Sequence, residues 1–252
     1  KFSLIKITAL QGSVSIDNSY ITTENTSTGF AGYINLNANN QLAIINNSVI
    51  SSRGKLGRIL IGKSDISGET SSPQEISFNN SFLTVSNASV TTAPETEINA
   101  GDISIDAVNN ISFVNDSQIS TVQISTVTER RGNAGNLTVQ SENGSVSFDN
   151  NAVFSNVNPG GIGNAGDINI TASNSIYFTN GAELQSGIVK TLDNSTPSGQ
   201  GNGGNITLNA EKNITLSGSS NQDTEDGSGI FTDVEETAIG DGGNIKLTTG
   251  SL

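Results

Sequence analysis

The sequence predicts an all-β chain folded as a parallel β-helix, a three-sided solenoid of about 7 to 8 coils, and three observations carry that expectation. A short motif, Ala/Gly-Gly-Asp/Asn-Ile/Leu-x-Ile/Leu, returns along the 252 residues. A second apolar alternation follows each copy at an almost constant distance. Two residues past the last apolar residue of that second alternation the chain places Asn again and again.

The first element appears as Ala31-Gly32-Tyr33-Ile34, Ala100-Gly101-Asp102-Ile103, Ala134-Gly135-Asn136-Leu137, Ala165-Gly166-Asp167-Ile168, Gly203-Gly204-Asn205-Ile206 and Gly242-Gly243-Asn244-Ile245. Apolar residues then alternate with Ser, Thr, Asn or Asp, the period of a strand with one buried face. Gly32, Gly101, Gly135, Gly166, Gly204 and Gly243 read as the turn residues that open each repeat. The second element is Val14-Ser15-Ile16, Leu42-Ala43-Ile44, Ile76-Ser77-Phe78, Ile111-Ser112-Phe113, Val146-Ser147-Phe148, Ile176-Tyr177-Phe178 and Ile214-Thr215-Leu216. A third short strand follows at Val49-Ile50, Ile119, Val153-Phe154 and Leu184, which completes a three-sided coil. Stacking one repeat as one coil pairs like strands in parallel and superimposes like residues, which a hairpin meander does not do.

Asn18, Asn46, Asn80, Asn115, Asn150 and Asn180 occupy the recurrent corner, and Gly218 takes the seventh place. Asn and Gly accept a left-handed backbone most readily. The same Asn side chains read either as an amide ladder running from coil to coil or as plain turn residues. Chain length between the third strand and the next motif varies freely, through 86–99, 122–133, 187–203 and 219–241, so these segments are expected on the surface outside the stack. The whole of 1–252 reads as one elongated domain, and at a rise of roughly 4.8 Å per coil it spans about 35 to 40 Å.

Composition narrows the chemistry. Hydrophobic residues make up only 33%, low for a compact globule but enough for the inward positions of a narrow β-helix. With no Cys and no His, thiol catalysis, Ser-His-Asp triads and His/Cys zinc sites are excluded. A net charge of −13 with 11 basic residues argues against nucleic acid, and no apolar run is long enough for membrane insertion. No cofactor is expected apart from calcium, for which the best location is Asp223, Glu225 and Asp226 with Asp233, Glu235, Glu236 and Asp241 downstream. The bland alternative is a solvated run of charge. Asp106, Asp116 and Asp149 are scattered acids with no partner at a spacing suited to glycoside hydrolysis, and the chain reads as not an enzyme. Arg130-Arg131, beside Gly132, reads as a solvated loop tip.

The stretches at 132–139 and 163–170, with the Ser-Val-Ser-Phe-Asp-Asn-x-Ala pattern at 145–152, resemble the repeats of filamentous-haemagglutinin-like exoproteins, most closely the cyanobacterial type. The resemblance implies a right-handed β-helix that is secreted to the extracellular space or cell surface by an outer-membrane two-partner transporter. It also implies adhesion or a structural fibre. The expected partners are a homo-oligomer or end-to-end filament, the first and last residues falling inside the repeat so that the chain reads as a segment of a longer one. A carbohydrate-binding adhesin stalk is the alternative, with a cell-surface glycan meeting Tyr20, Tyr33 and Tyr177. A carbohydrate-active enzyme on the same scaffold is the remaining reading.

Overall fold

The computed structural model describes residues 3–26, 29–62, 72–87, 96–123, 130–191, 197–219 and 227–250. They form a three-sided parallel β-helix, with no helical segment among the described residues. Sheet A stacks eight strands, Leu4–Ala9, Tyr33–Ala38, Arg58–Ile61, Ile103–Ala107, Leu137–Ser141, Ile168–Ala172, Ile206–Ala210 and Ile245–Thr249. Sheet B stacks seven, Val14–Asp17, Gln41–Ile45, Glu75–Asn79, Ile111–Val114, Val146–Asp149, Ile176–Thr179 and Ile214–Ser217. Sheet C stacks seven more, Tyr20–Glu24, Val49–Arg53, Phe82–Ser86, Gln118–Gln123, Ala152–Val157, Glu183–Gln185 and Gly229–Phe231. The chain thus completes seven coils and begins an eighth.

Register follows the sequence repeat. Ile103, Leu137, Ile168, Ile206 and Ile245 pair in one column of sheet A, with Ile105, Val139, Ile170, Leu208 and Leu247 in the next inward column. Because side chains alternate across a strand, each pair of apolar positions points into the same narrow lumen. On sheet B the column Phe78, Phe113, Phe148 and Phe178 stacks ring on ring at centroid separations of 4.6, 4.8 and 4.8 Å, close to the strand spacing itself. These rings are buried, and burial of each contributes about 1.5–3 kcal/mol. Ile50, Leu83, Ile119, Val153 and Leu184 close the third side.

The strand Arg58–Ile61 is a full member of sheet A, pairing with Tyr33–Ala38 and Ile103–Ala107, and Ile59 and Ile61 continue its inward columns although the Gly57-Arg58 opening lacks the Ala-Gly-Asp signature. One feature differs from the sequence expectation: the segments between sheets C and A are partly stacked rather than wholly outside. Arg130–Arg131 pairs with Gly161–Ile162, and bridges continue from Ile162 to Gln200 and from Gln200 to Ile239. Val157, Ala165 and Ile188 form a small second apolar cluster there, with Val234 and Ala238 against it. Arg130 is accordingly buried, not a solvated tip, and desolvation pushes its pKa below the usual guanidinium value.

Candidate functional site

The recurrent Asn corner joins sheets B and C. Asn18, Asn46, Asn80, Asn115, Asn150 and Asn180 all hold positive φ, between 44° and 55°, and Gly218 holds 78°. The left-handed backbone turns the chain sharply, and Asn bears it at less cost than a β-branched residue. Their amides do not pair like with like. Asn46 donates through Nδ2 to Asp17 (2.9 Å), Asn80 to Asn47 (3.1 Å), Asn115 to Asn79 (3.0 Å), Asn150 to Asp116 (2.6 Å) and Asn180 to Asp149 (2.9 Å). The left-handed turn tilts each side chain toward a neighbouring position of the preceding coil. The corner is therefore stitched diagonally.

Like-with-like ladders occur elsewhere, in the opening motif. Asn99 Oδ1 accepts the Asn133 backbone N–H, Asn133 that of Asn164, Asn164 that of Asn202, and Asn202 that of Asp241, at 2.7, 2.8, 3.0 and 3.0 Å. A parallel ladder runs through Asp102, Asn136, Asp167, Asn205 and Asn244, where each side-chain oxygen accepts the next backbone N–H at 2.8, 2.9, 2.8 and 3.2 Å. Asn136, Asn205 and Asn244 also donate Nδ2 back to the residue below. The two carboxylates are separated by an amide, so no two negative charges are adjacent in this column.

The motif glycines are selected by space rather than by turn geometry. None of Gly32, Gly101, Gly135, Gly166, Gly204 and Gly243 has positive φ. A Cβ on Gly101, Gly135, Gly166, Gly204 or Gly243 would fall 1.6 to 2.2 Å from the carbonyl oxygen of the glycine one coil earlier. Hydroxyls from sheet C hold the same column from inside. Ser52 donates to the Gly32 carbonyl (2.8 Å), Ser155 to that of Gly135 (2.9 Å), Ser186 to that of Gly166 (2.7 Å) and Thr232 to that of Gly243 (3.0 Å). Gly166 and Gly204 in turn donate their N–H groups to Ser155 and Ser186. This hydroxyl column is legible only as a recurrent Ser or Thr at the end of the third strand.

The outer faces hold the groups left for ligands. Tyr20 is on sheet C, Tyr33 on sheet A and Tyr177 on sheet B, so the three tyrosines share no face. Asp106 lies on sheet A and accepts from Ser104, Asp149 lies on sheet B, and Asp116 lies at the B–C corner. Asp223, Glu225 and Asp226 lie outside the described residues. Of the acids named with them, Asp233 accepts from Gln185, Glu235 accepts from the Lys190 N–H, and the Asp241 N–H is held by Asn202. No group of three or more potential metal ligands gathers among the described residues.

On the outer face of sheet C a hollow, aromatic rings and amides coincide. A groove of about 300 Å³ runs across several coils between Thr84 and Glu235, floored by Ser120, Val122 and Phe154. On one side Asn156 donates to Gln185 (2.7 Å), and Gln185 donates to Asp233 (3.1 Å). A second hollow of about 210 Å³ adjoins it toward the Asn corner, and Gln118 lines both. Compared with protein-family models, curated proteins and solved structures, the chain matches none.

Proposed function

We propose that the chain is the shaft of an extracellular rod, a structural and adhesive element of a cell-surface fibre. The observation that carries this reading is where the recurrent residues go. Corner Asn, motif Gly, both side-chain ladders, the hydroxyl column and the Phe stack all contact the preceding or following coil. A sequence that spends each repeated position on coil-to-coil contact serves extension. Parallel main-chain pairing and inward apolar columns recur at each described coil interface, so a further coil, from the same polypeptide or from a second copy, adds by the same kind of bonds. The similarity of its repeats to filamentous-haemagglutinin-like exoproteins supports export of the parent protein through a two-partner transporter and a place outside the cell. Negative-stain electron microscopy of the native material tests the reading. Uniform fibres about one β-helix wide, single or bundled, are expected, and compact isolated particles would contradict it.

A further inference from the structure

The outer face of sheet C carries an aromatic pattern that the stack itself does not use. Phe154, Gln185 and Phe231 occupy one outward column, Phe154 paired with Gln185 and Gln185 with Phe231. The backbone positions that carry the two rings are therefore two coil rises apart, roughly 9.6 Å, with Gln185 between them. Small residues precede both rings on the same face, Ala152 and Gly229. The Phe231 ring lies back over Gly229, since a Cβ there would fall 2.4 Å from its Cζ. Such a ring is laid along the sheet and is 42% exposed. Phe154 is half-buried in the floor of the groove.

We infer that this column binds an extended, neutral, β-1,4-linked glycan lying along the helix axis. In a ribbon-like chain of that linkage every second pyranose presents the same face, and its disaccharide repeat matches the two-coil separation of Phe154 and Phe231. The apolar C–H face of a sugar ring packs on each phenyl. Gln118 at the groove wall, and the second N–H and second lone pair of the Gln185 and Asn156 amides, which also bond each other and Asp233, supply donors and acceptors for hydroxyls. The volume, at the lower limit for small-ligand sites, accommodates roughly a disaccharide. Among the described residues no Lys or Arg lines the groove, and Glu235 does, so an anionic polysaccharide is disfavoured by charge. The inference rests on the adhesive part of the reading above and is separable from its structural part, because fibres are seen by microscopy whether or not they bind sugar.

Titration calorimetry of the chain with cellohexaose and with chitohexaose, two oligomers that share the linkage but differ at the 2-position, provides the test. Binding of either is expected at millimolar concentration or below, and the preferred oligomer identifies the 2-substituent. Phe154→Ala and Phe231→Ala each weaken it by about three- to tenfold, one aromatic contact's worth. Tyr177→Ala, on sheet B, leaves it unchanged. Phe231→Ala changes an exposed side chain and keeps the test decisive if Phe154→Ala melts early. Absence of heat with both oligomers, or equal binding by a Phe231→Ala variant that melts like the parent chain, would overturn the assignment.

Discussion

Single residues decide how closely one coil approaches the next. Gly135 has the Gly101 carbonyl oxygen 1.7 Å from where a Cβ would stand, and backbone is not free to move aside. Gly135→Ala is expected to lower unfolding free energy by about 2 kcal/mol or more in urea melts, while Gly12→Ala, with nothing within 4 Å, leaves the midpoint unchanged. The alternation in the Asp102-Asn136-Asp167 column makes a charge prediction. Asn136→Asp places three carboxylates in successive coils, and the repulsion between them when ionised destabilises the folded chain. Stability of that variant is then nearest the parent at low pH, where negative charge is reduced, and falls further behind it toward neutral pH. Thermal melts at pH 4 and pH 7 read the difference, and a penalty independent of pH would contradict it. The corner Asn residues were legible from their spacing, and their left-handed φ follows from it. Their diagonal amide bonds were not, because a one-residue offset between coils depends on side-chain tilt, which spacing alone does not encode.

Element by element, sheets follow from period-two alternation plus a constant interval, and both could be read wherever the motif is intact. At Arg58–Ile61 the opening motif departs from the pattern, Gly57 being followed by a cation rather than by Asp or Asn, but the apolar alternation of Ile59 and Ile61 still marks them as inward residues of the same columns. The stacked bases of the C-to-A segments were not legible. They are too short to show alternation, two residues at Arg130–Arg131 and two at Gly161–Ile162, and are held by glycine-backbone approach and one amide ladder. The outward aromatics of sheet C were hidden among the Phe residues of the core, since only strand register shows that Phe154 faces away from Phe148. Phe148 itself is sandwiched between Phe113 and Phe178 at interplanar angles of 3° and 6°. Phe148→Ala is expected to cost about 3–5 kcal/mol, and Phe148→Leu less, by equilibrium denaturation. At the corner, Asn150→Gly keeps the turn but loses the bond to Asp116 and is expected to cost about 0.5–1.5 kcal/mol, and Asn150→Val about 1–2 kcal/mol more, since φ is 46° there.

For the molecule as a whole, order is one-dimensional. Each coil touches only its neighbours, so protection against hydrogen exchange is expected to be greatest in central strands such as Leu137–Ser141 and least in Leu4–Ala9 and Ile245–Thr249 of this chain. The same columns that bury Ile206 and Leu208 completely leave Ile245 and Leu247 at 44% and 49% exposure in the last described strand. Inward and corner residues hold the stack, while the outer face of sheet C carries the groove. The central claim is that this stack is displayed outside the cell as the shaft of a fibre. Immunogold labelling of intact source cells, with antibody raised against the folded chain, tests it most directly. Gold arrayed along surface filaments is the expected result, and label that appears only after the cells are permeabilised would contradict the account.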